Sequence, residues 1–567
     1  MSRIDPKTRF VGTAEAVAAE VNSPAPRADK AAIPAVAPAA PAPFVPMPPW
    51  QAAIYAASSL TLGLTQGLGL NLVTSNIVGL QGALHATAVE MAWLPAAYFA
   101  TNITGTIVLF KVRNQFGLRR FAEIGIIVYL TLTLAHLFTN DLRSALLVRA
   151  VMGFAAAPLS TLAFFYMLEW LPPAKKLTVG ICFGMAGSNL ALPISRIISP
   201  DLLQIGDWHG LYLLEAGFAA LSFAIVFLVP ITHPPRIKSF DMDDWLSLPL
   251  LTTTFACFSI VLSLGKTYWW LEAPWLGVLL AVGVGSAALL LLVEFHRENP
   301  IIDLRWLTSR EMVTFAGALL IFRLLLSEQS VGAINLFTAL GMQNDQLVPL
   351  FWVIGIATFL STVVLSQIIK PERVVPIHLV ALAMIAMAAW LDSQSTVLSR
   401  PEQFYVSQAL MGSASALFLP PAMLSGFSKA LARGPRYILS FLIVFLSTQT
   451  VGGMLGSAAL SSFATLREQF HSNVIAQDIT MLDPNVAARV ATYGGVYARA
   501  LTDPALRNAE GLALLGQAAT QQANVLAYND LFMTILVLTL ATMAVLLIMT
   551  VVQFLNKPVA AGEAQPT

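Results

Sequence analysis

From Trp50 onward the chain repeats one pattern, apolar stretches of about 20 residues set apart by short polar interruptions, the length a helix needs to cross a hydrocarbon core. The stretches fall near 52–79, 88–110, 121–139, 145–168, 177–199, 209–232, 245–265, 274–294, 312–338, 347–369, 374–391, 404–427, 437–466 and 529–555. The pattern predicts fourteen transmembrane helices, and an even number puts both termini on one side. Residues 1–50 differ: VNSPAPRADKAAIPAVAPAAPAPFVPMPP is rich in Pro and Ala, has no hydrophobic period, and reads as a disordered or polyproline-like tail. Glu15 and Glu20 interrupt any apolar core that a signal peptide would need, so the first span is expected to serve as the internal targeting signal.

Charge orients this pattern. Of the 32 Lys and Arg, 22 lie in tails and loops on the side of the N-terminus, 7 on the opposite side and 3 inside spans. Without the long N-terminal tail and the long last outer loop the contrast is 17 to 3, which places both termini in the cytoplasm. Composition agrees: 57% of residues are hydrophobic and 11% charged, against roughly 25% charged in soluble domains. A net charge of +1 gives no reason to expect a nucleic-acid partner. Cys182 and Cys257 both lie in apolar segments and read as packing residues, not as a disulfide or a metal ligand set. The seven histidines are scattered and no nucleophile elbow appears, so neither an enzyme nor a cofactor is expected.

An internal repeat adds architecture. RAVMG at 149–153 returns as QALMG at 408–412, a shift of 259 residues. The same shift carries KVRNQFG at 111–117 onto KPERVVP at 370–376, and the first span onto the ninth. The chain therefore reads as a six-helix half over 51–235, two inserted helices over 236–300, and a second six-helix half over 301–557, with short tails at 1–50 and 558–567. The long outer segment 467–528 belongs to the second half; NVAARVATYGGVYARAL and LRNAEGLALLGQAATQQANVLAY have helical amphipathic spacing and predict a helical hairpin projecting outward. Glycine-rich GICFGMAG (180–187) and VGGMLGS (451–457) occupy related places in the two halves and predict close helix packing.

Two six-helix halves with two extra central helices, plus R-x-x-x-G at Arg149 and Gly153, resemble the fourteen-span drug:proton antiporters of the major facilitator superfamily, the EmrB/QacA-like group, with the late segment QQANVLAYNDLF closer to EmrB. WHGLYLLEAG (208–217), NPIIDLRWL (299–307) and VGGMLGSA followed by LREQFHS (451–472) are similar to further motifs of that family. The resemblance covers about residues 50–557 and implies an all-α polytopic membrane protein of the major facilitator fold, working by alternating access in the inner membrane and driven by a proton gradient. It also implies a small-molecule substrate, and a periplasmic membrane-fusion adaptor with an outer-membrane channel docked on 467–528, the alternative there being a simple cap. Departures are as informative. The family's G-x-x-x-D-R-x-G-R-R loop reads FKVRNQFGLRR: Gly117, Arg119 and Arg120 match, while Phe110 and Asn114 replace the small residue and the acid. Of the G-P-x-x-G-G motif only Pro193 survives, and the membrane acid of the first span falls at Gly69.

The charges inside the spans are the candidate chemistry. The resemblance gives Arg149 a part in proton coupling, with Gly153 admitting a neighbouring helix; the alternative is a structural arginine bonded to carbonyls. Glu328, which the 259-residue shift maps onto Gly69, is the expected titrating partner, with pairing to Arg323 as the alternative. Arg196 and Arg323, with Glu215 as a balancing charge and Trp93 as an aromatic contact, are the expected substrate contacts and favour anionic or neutral aromatic amphiphiles. Trp93 also fits an interfacial anchor, and Arg196 a snorkelling side chain. Gly117, Arg119, Arg120, Gly153 and Pro193 are the expected conformational gate, and Glu90, Glu123 and Glu294 are expected at the interface. The function expected is proton-coupled efflux. Two others stay open, a proton-coupled importer of an organic anion and a non-transporting sensor or adaptor.

Overall fold

The computed structural model describes residues 46–232, 244–297, 300 and 303–555. Residues 1–45 of the tail expected at 1–50, the tail expected at 558–567, and the Phe110 and Asn114 side chains lie outside the described residues, while Pro49 and Trp50 already belong to the first helix. Among the described residues all regular structure is helical. The first half contains α1 (Pro49–Ser75), α2 (Trp93–Phe116), α3 (Leu118–His136), α4 (Leu142–Glu169) and α5 (Ile181–Leu228). The inserted pair is α6 (Asp244–Tyr268) and α7 (Pro274–His296). The second half contains α8 (Arg310–Leu326), α9 (Glu328–Val331), α10 (Ala333–Ala339), α11 (Val348–Ile368), α12 (Val374–Asp392), α13 (Tyr405–Arg433), α14 (Pro435–Asp478), α15 (Pro484–Gly495) and α16 (Pro504–Leu555).

Eleven helices among the described residues are long and apolar enough to cross a membrane, and each coincides with an expected stretch. The other three stretches are helical as well, but depart from a uniform apolar rod. In α1, Ser59 donates to Ala163 O at 2.6 Å and Thr65 shares a 2.7 Å hydrogen bond with Ser222, so its polar side chains bind neighbouring helices. The first two turns of α3 carry Arg119, Arg120 and Glu123. The third stretch is broken into α8, α9 and α10 at Ser327 and Gly332. Length and apolarity thus account for eleven crossings, and the count of fourteen rests on the sequence pattern.

The 48 residues of α5 hold two expected spans and look like one rod, but they fold back on themselves. A Cβ built on Gly210 would lie 2.5 Å from Leu202 O, whereas eight residues along a straight helix are about 12 Å apart. The chain therefore reverses between the two arms.

Small residues set the tightest contacts. α1 and the first arm of α5 run side by side in the same direction: Gly63 faces Gly187, and Gly67 faces Ala191. α8 and α14 repeat this arrangement in the second half, with Gly452 and Gly453 against Arg323 and Gly456 against Leu324 and Ser327. The glycine-rich segments are thus used for close helix packing, as their spacing predicted. Met454 and Ile443 of α14 pack with Ile103 and Ile107 of α2 and with Leu251 of α6 and Leu290 of α7, so the inserted pair lies along the place where α2 meets α14. Trp270, in the turn between α6 and α7, donates to Ser462 of α14 at 2.8 Å.

Beyond the core, α14 runs on to Asp478, and α15 folds against the N-terminal part of α16. Gly494 comes against Arg507, and Gly511 against Val490. Within 467–528 these two helices form a hairpin, and residues 467–478 continue α14.

Candidate functional site

Arg149 sits about two turns into α4 and is 1% exposed. Its Nη1 donates to Gly69 O of α1 at 2.6 Å, and its guanidinium lies 5.6 Å from the centre of the Tyr98 ring of α2. Gly153, one turn on, makes this crossing possible, since a Cβ there would overlap Tyr98 O and lie 2.5 Å from Thr101 Oγ1. Two side chains of α2 then bond across the crossing: Thr101 donates to Ala150 O at 2.6 Å and Asn102 to Gly153 O at 2.8 Å. The arginine and the glycine of R-x-x-x-G thus join α4 to α1 and to α2 respectively.

The partner of this arginine differs from the one expected. Glu215, on the second arm of α5, is buried within electrostatic reach of Arg149, and Tyr129 of α3 donates to its Oε1 at 3.3 Å. A Cβ at Gly69 would lie 2.9 Å from Glu215 Oε1 and would overlap the Tyr129 hydroxyl. The position where the resemblance implies an acid is a glycine here, and an acid from α5 lies beside it. Glu215, expected to balance Arg196, faces Arg149 instead.

Glu328 lies in a separate cluster. It opens α9 at the break in the ninth expected span and is fully buried. Its Oε1 accepts from Ala333 N at 3.3 Å and from Gln408 Nε2 of α13 at 3.2 Å. The same Gln408 nitrogen donates to Asp392 Oδ2, at the end of α12, at 3.0 Å. Among the described residues Arg149 and Glu328 share no contact. The expected meeting of those two is replaced by two clusters related by the 259-residue shift, Arg149 and Gly69 in one half and Gln408 and Glu328 in the other. Nor does Glu328 pair with Arg323, whose Nε donates to Gln449 O of α14 at 3.1 Å.

Arg196 and Pro193 lie on the seam between the halves. Arg196 Nη1 donates to Asn344 Oδ1 at 3.3 Å, Asn344 returns a bond to Arg196 O at 3.2 Å, and the guanidinium lies 5.8 Å from the Phe351 ring centre in α11. Pro193 packs against Gly355 of α11, where a built Cβ would be 3.6 Å from the proline Cβ. Trp93 stacks on Trp275 at 5.7 Å and donates to Tyr268 OH at 3.0 Å, forming the joint between α2 and the inserted pair, with no contact to Arg196 or Arg323 among the described residues. Gly117 turns the chain from α2 to α3 with φ +90°, a conformation that favours glycine. Arg119 bonds Glu123 of its own helix at 2.7 Å, and Arg120 is exposed.

Close glycine packing, the R-x-x-x-G crossing and eleven helices among the described residues long and apolar enough to cross a membrane suit a transporter chain, and comparison decides which. A family model described as Major Facilitator Superfamily matches residues 59–457. The chain belongs to the major facilitator superfamily. Its similarity to the multidrug export protein EmrB of Escherichia coli strain K12 is 22% identity over 466 residues, 76% of this chain and 84% of that protein. Multidrug resistance protein 3 of Bacillus subtilis is 25% identical over 260 residues, and the tetracenomycin C resistance and export protein of Streptomyces glaucescens is 23% identical over 256. The chain spans about half the length of these last two, 49% and 46%. Two solved structures share the fold: a peptide transporter at 11% identity with TM-score 0.54, covering 89% of this chain and 95% of that one, and the human organic anion transporter MFSD10 at 13% with TM-score 0.51, covering 87% and 100%. The protein is a multi-pass membrane protein of this superfamily with distant multidrug-efflux relatives.

Within this superfamily member, some groups escaped the sequence reading. Asp392 lies one residue past the expected end of its span and looked like a loop residue. Gln408 stood in the repeat only as the counterpart of Arg149. Glu294, expected at the interface, is 3% exposed and accepts from Ser247 at 2.6 Å and from Arg297 at 2.9 Å. Arg297 also pairs with Asp244, which takes Lys111 Nζ of α2 at 2.6 Å. This charged network ties the inserted helices to the first half. Finally, Arg467 and His471 of LREQFHS both hold Asp530 of α16, at 2.6 and 2.7 Å.

Proposed function

We propose that this transporter exports small amphiphilic or aromatic compounds across the inner membrane, both termini in the cytoplasm, using a proton gradient and alternating access. The observation that carries the reading is Glu328, a fully buried carboxyl at the break between α8 and α9. Interrupted membrane helices are where transporters bind substrates and coupling ions, and an acid in that position is a functional group by default. The export direction draws support from the names of the relatives, and the positive-inside bias supports the orientation. Arg196, on the seam between the halves, supports anionic or neutral substrates over lipophilic cations. The hairpin of α15 and the outer part of α16 offers a docking surface for a periplasmic adaptor.

The test is purified protein in liposomes, an imposed pH gradient, and two sets of fluorescent aromatic dyes, carboxylated and cationic. Uphill, gradient-dependent movement of the carboxylated dyes is expected, with loss in Glu328→Gln. Movement of cationic dyes alone would overturn the substrate class. Gradient-independent movement in the wild type would overturn the coupling, and accumulation in the opposite sense would establish import.

A further inference from the structure

The two halves answer the same electrostatic problem differently. Shifted by 259 residues, Arg149 becomes Gln408 and Gly69 becomes Glu328. In the first half one acid, Glu215, is faced by one guanidinium. In the second half two carboxyls, Glu328 and Asp392, converge on a single amide nitrogen of Gln408, at 3.2 and 3.0 Å. All three side chains are at most 2% exposed. The surroundings offer no cation: among the described residues no Lys, Arg or His forms an ion pair with either acid, and the titratable group bearing on Asp392 is Glu328 itself. From α13, Gln408 and Ser407 bear on the pair; from α9 and α10, the Ala333 amide; from α16, the Phe532 ring, which comes against Gly332 beside the Glu328 carboxyl. The other oxygen of Glu328, Oε2, is buried without a hydrogen-bond partner.

Two neighbouring anions in a dry, uncompensated site are strongly unfavourable, and an amide N–H can satisfy only one acceptor atom on each. A proton supplies the missing donor and removes the excess charge. We propose that Glu328 and Asp392 form one proton-binding site in the second half, holding a single proton between them with Gln408 as the clamp, while Arg149 and Glu215 form a charge-compensated structural pair. Asp392 is thereby a second coupling residue. The inference rests on the reading of the chain as proton-coupled, and it locates the site where the proton is carried.

The test needs neither substrate nor flux, so it fails separately from that reading. Infrared difference spectra of the purified full chain in detergent, recorded across pH, report the carbonyl stretch of protonated buried carboxyls. The wild type is expected to show one titrating band. Glu328→Gln and Asp392→Asn should each keep a band with an altered pH profile, and the double variant should lose it, all three eluting as the wild type does on size exclusion. A wild type without the band, a profile unchanged by Asp392→Asn, or a band that survives in the double variant would each overturn the shared site.

Discussion

At the scale of single residues, Arg149 is held by geometry that leaves little choice. A guanidinium buried in a membrane-spanning helix needs a carbonyl or an anion; Arg149 binds a carbonyl, Gly69 O, and the Glu215 carboxyl lies within electrostatic reach without a direct ion pair. Removing the acid leaves the buried guanidinium without that counter-charge, whereas replacing both groups with apolar side chains removes the buried charge altogether. Glu215→Leu should therefore lower the melting temperature sharply, and Arg149→Met/Glu215→Leu should restore most of it. A double variant as unstable as the single one would show that the two do not interact. Gly153 gives a second prediction. Gly153→Ala drives a methyl into Tyr98 O, and overpacking of this kind costs about 1–3 kcal/mol. Gly217→Ala is the control, since nothing lies within 4 Å of its added carbon; at such an open helical site, alanine is expected to be neutral or stabilising. Equal effects at the two glycines in a thermal melt would remove the close-approach account.

At the scale of elements, the helices were legible because length and apolarity are local properties, and eleven stretches carried enough of both. The break between α8 and α9 was not, because the apolar run 312–338 continues across Ser327 and Gly332, and only Glu328 hints that the ladder of hydrogen bonds is interrupted there. Asp392 was missed for a related reason: its helix ends with it, and a charge at a helix end reads as a loop residue until α13 is seen to bring Gln408 beside it. The meeting of Gly69 with Glu215 depends on α1 and the second arm of α5 being neighbours, which no local pattern encodes. The inserted pair shows the same limit. Lys111, Asp244, Arg297 and Glu294 looked like scattered span-end charges, yet they are buried together at 2–6% side-chain exposure. Asp244→Leu takes the carboxylate from Lys111 and from Arg297 at once, so a fall of about 3–5 kcal/mol is expected. Adding Lys111→Met should recover part of it, read as melting temperature of the purified protein; an unchanged melt in Asp244→Leu would mean that the network does not hold α6 to α2.

At the scale of the whole molecule, the seam between the halves is where alternating access would have to act. On one side of that seam the first arm of α5 meets α11 through Pro193, Gly355 and the Arg196–Asn344 exchange, and elsewhere α2 meets α14 beside the inserted pair. Rocking of one half against the other must open one of these contacts. The separation of the Pro193 Cβ from a Cβ built on Gly355 is 3.6 Å, inside the roughly 3.5–4.5 Å range that a disulfide requires. Nothing but the proline approaches the added carbon at Gly355 within 4 Å, so a Cβ is accommodated there. Both native cysteines are buried and remain outside this exchange. Pro193→Cys/Gly355→Cys should therefore cross-link on oxidation and stop dye movement in liposomes, and reduction should return it, while each single variant transports under both conditions. A cross-linked protein that still moves dye at the wild-type rate would mean that α5 and α11 stay together through the cycle, and that access changes without opening this contact.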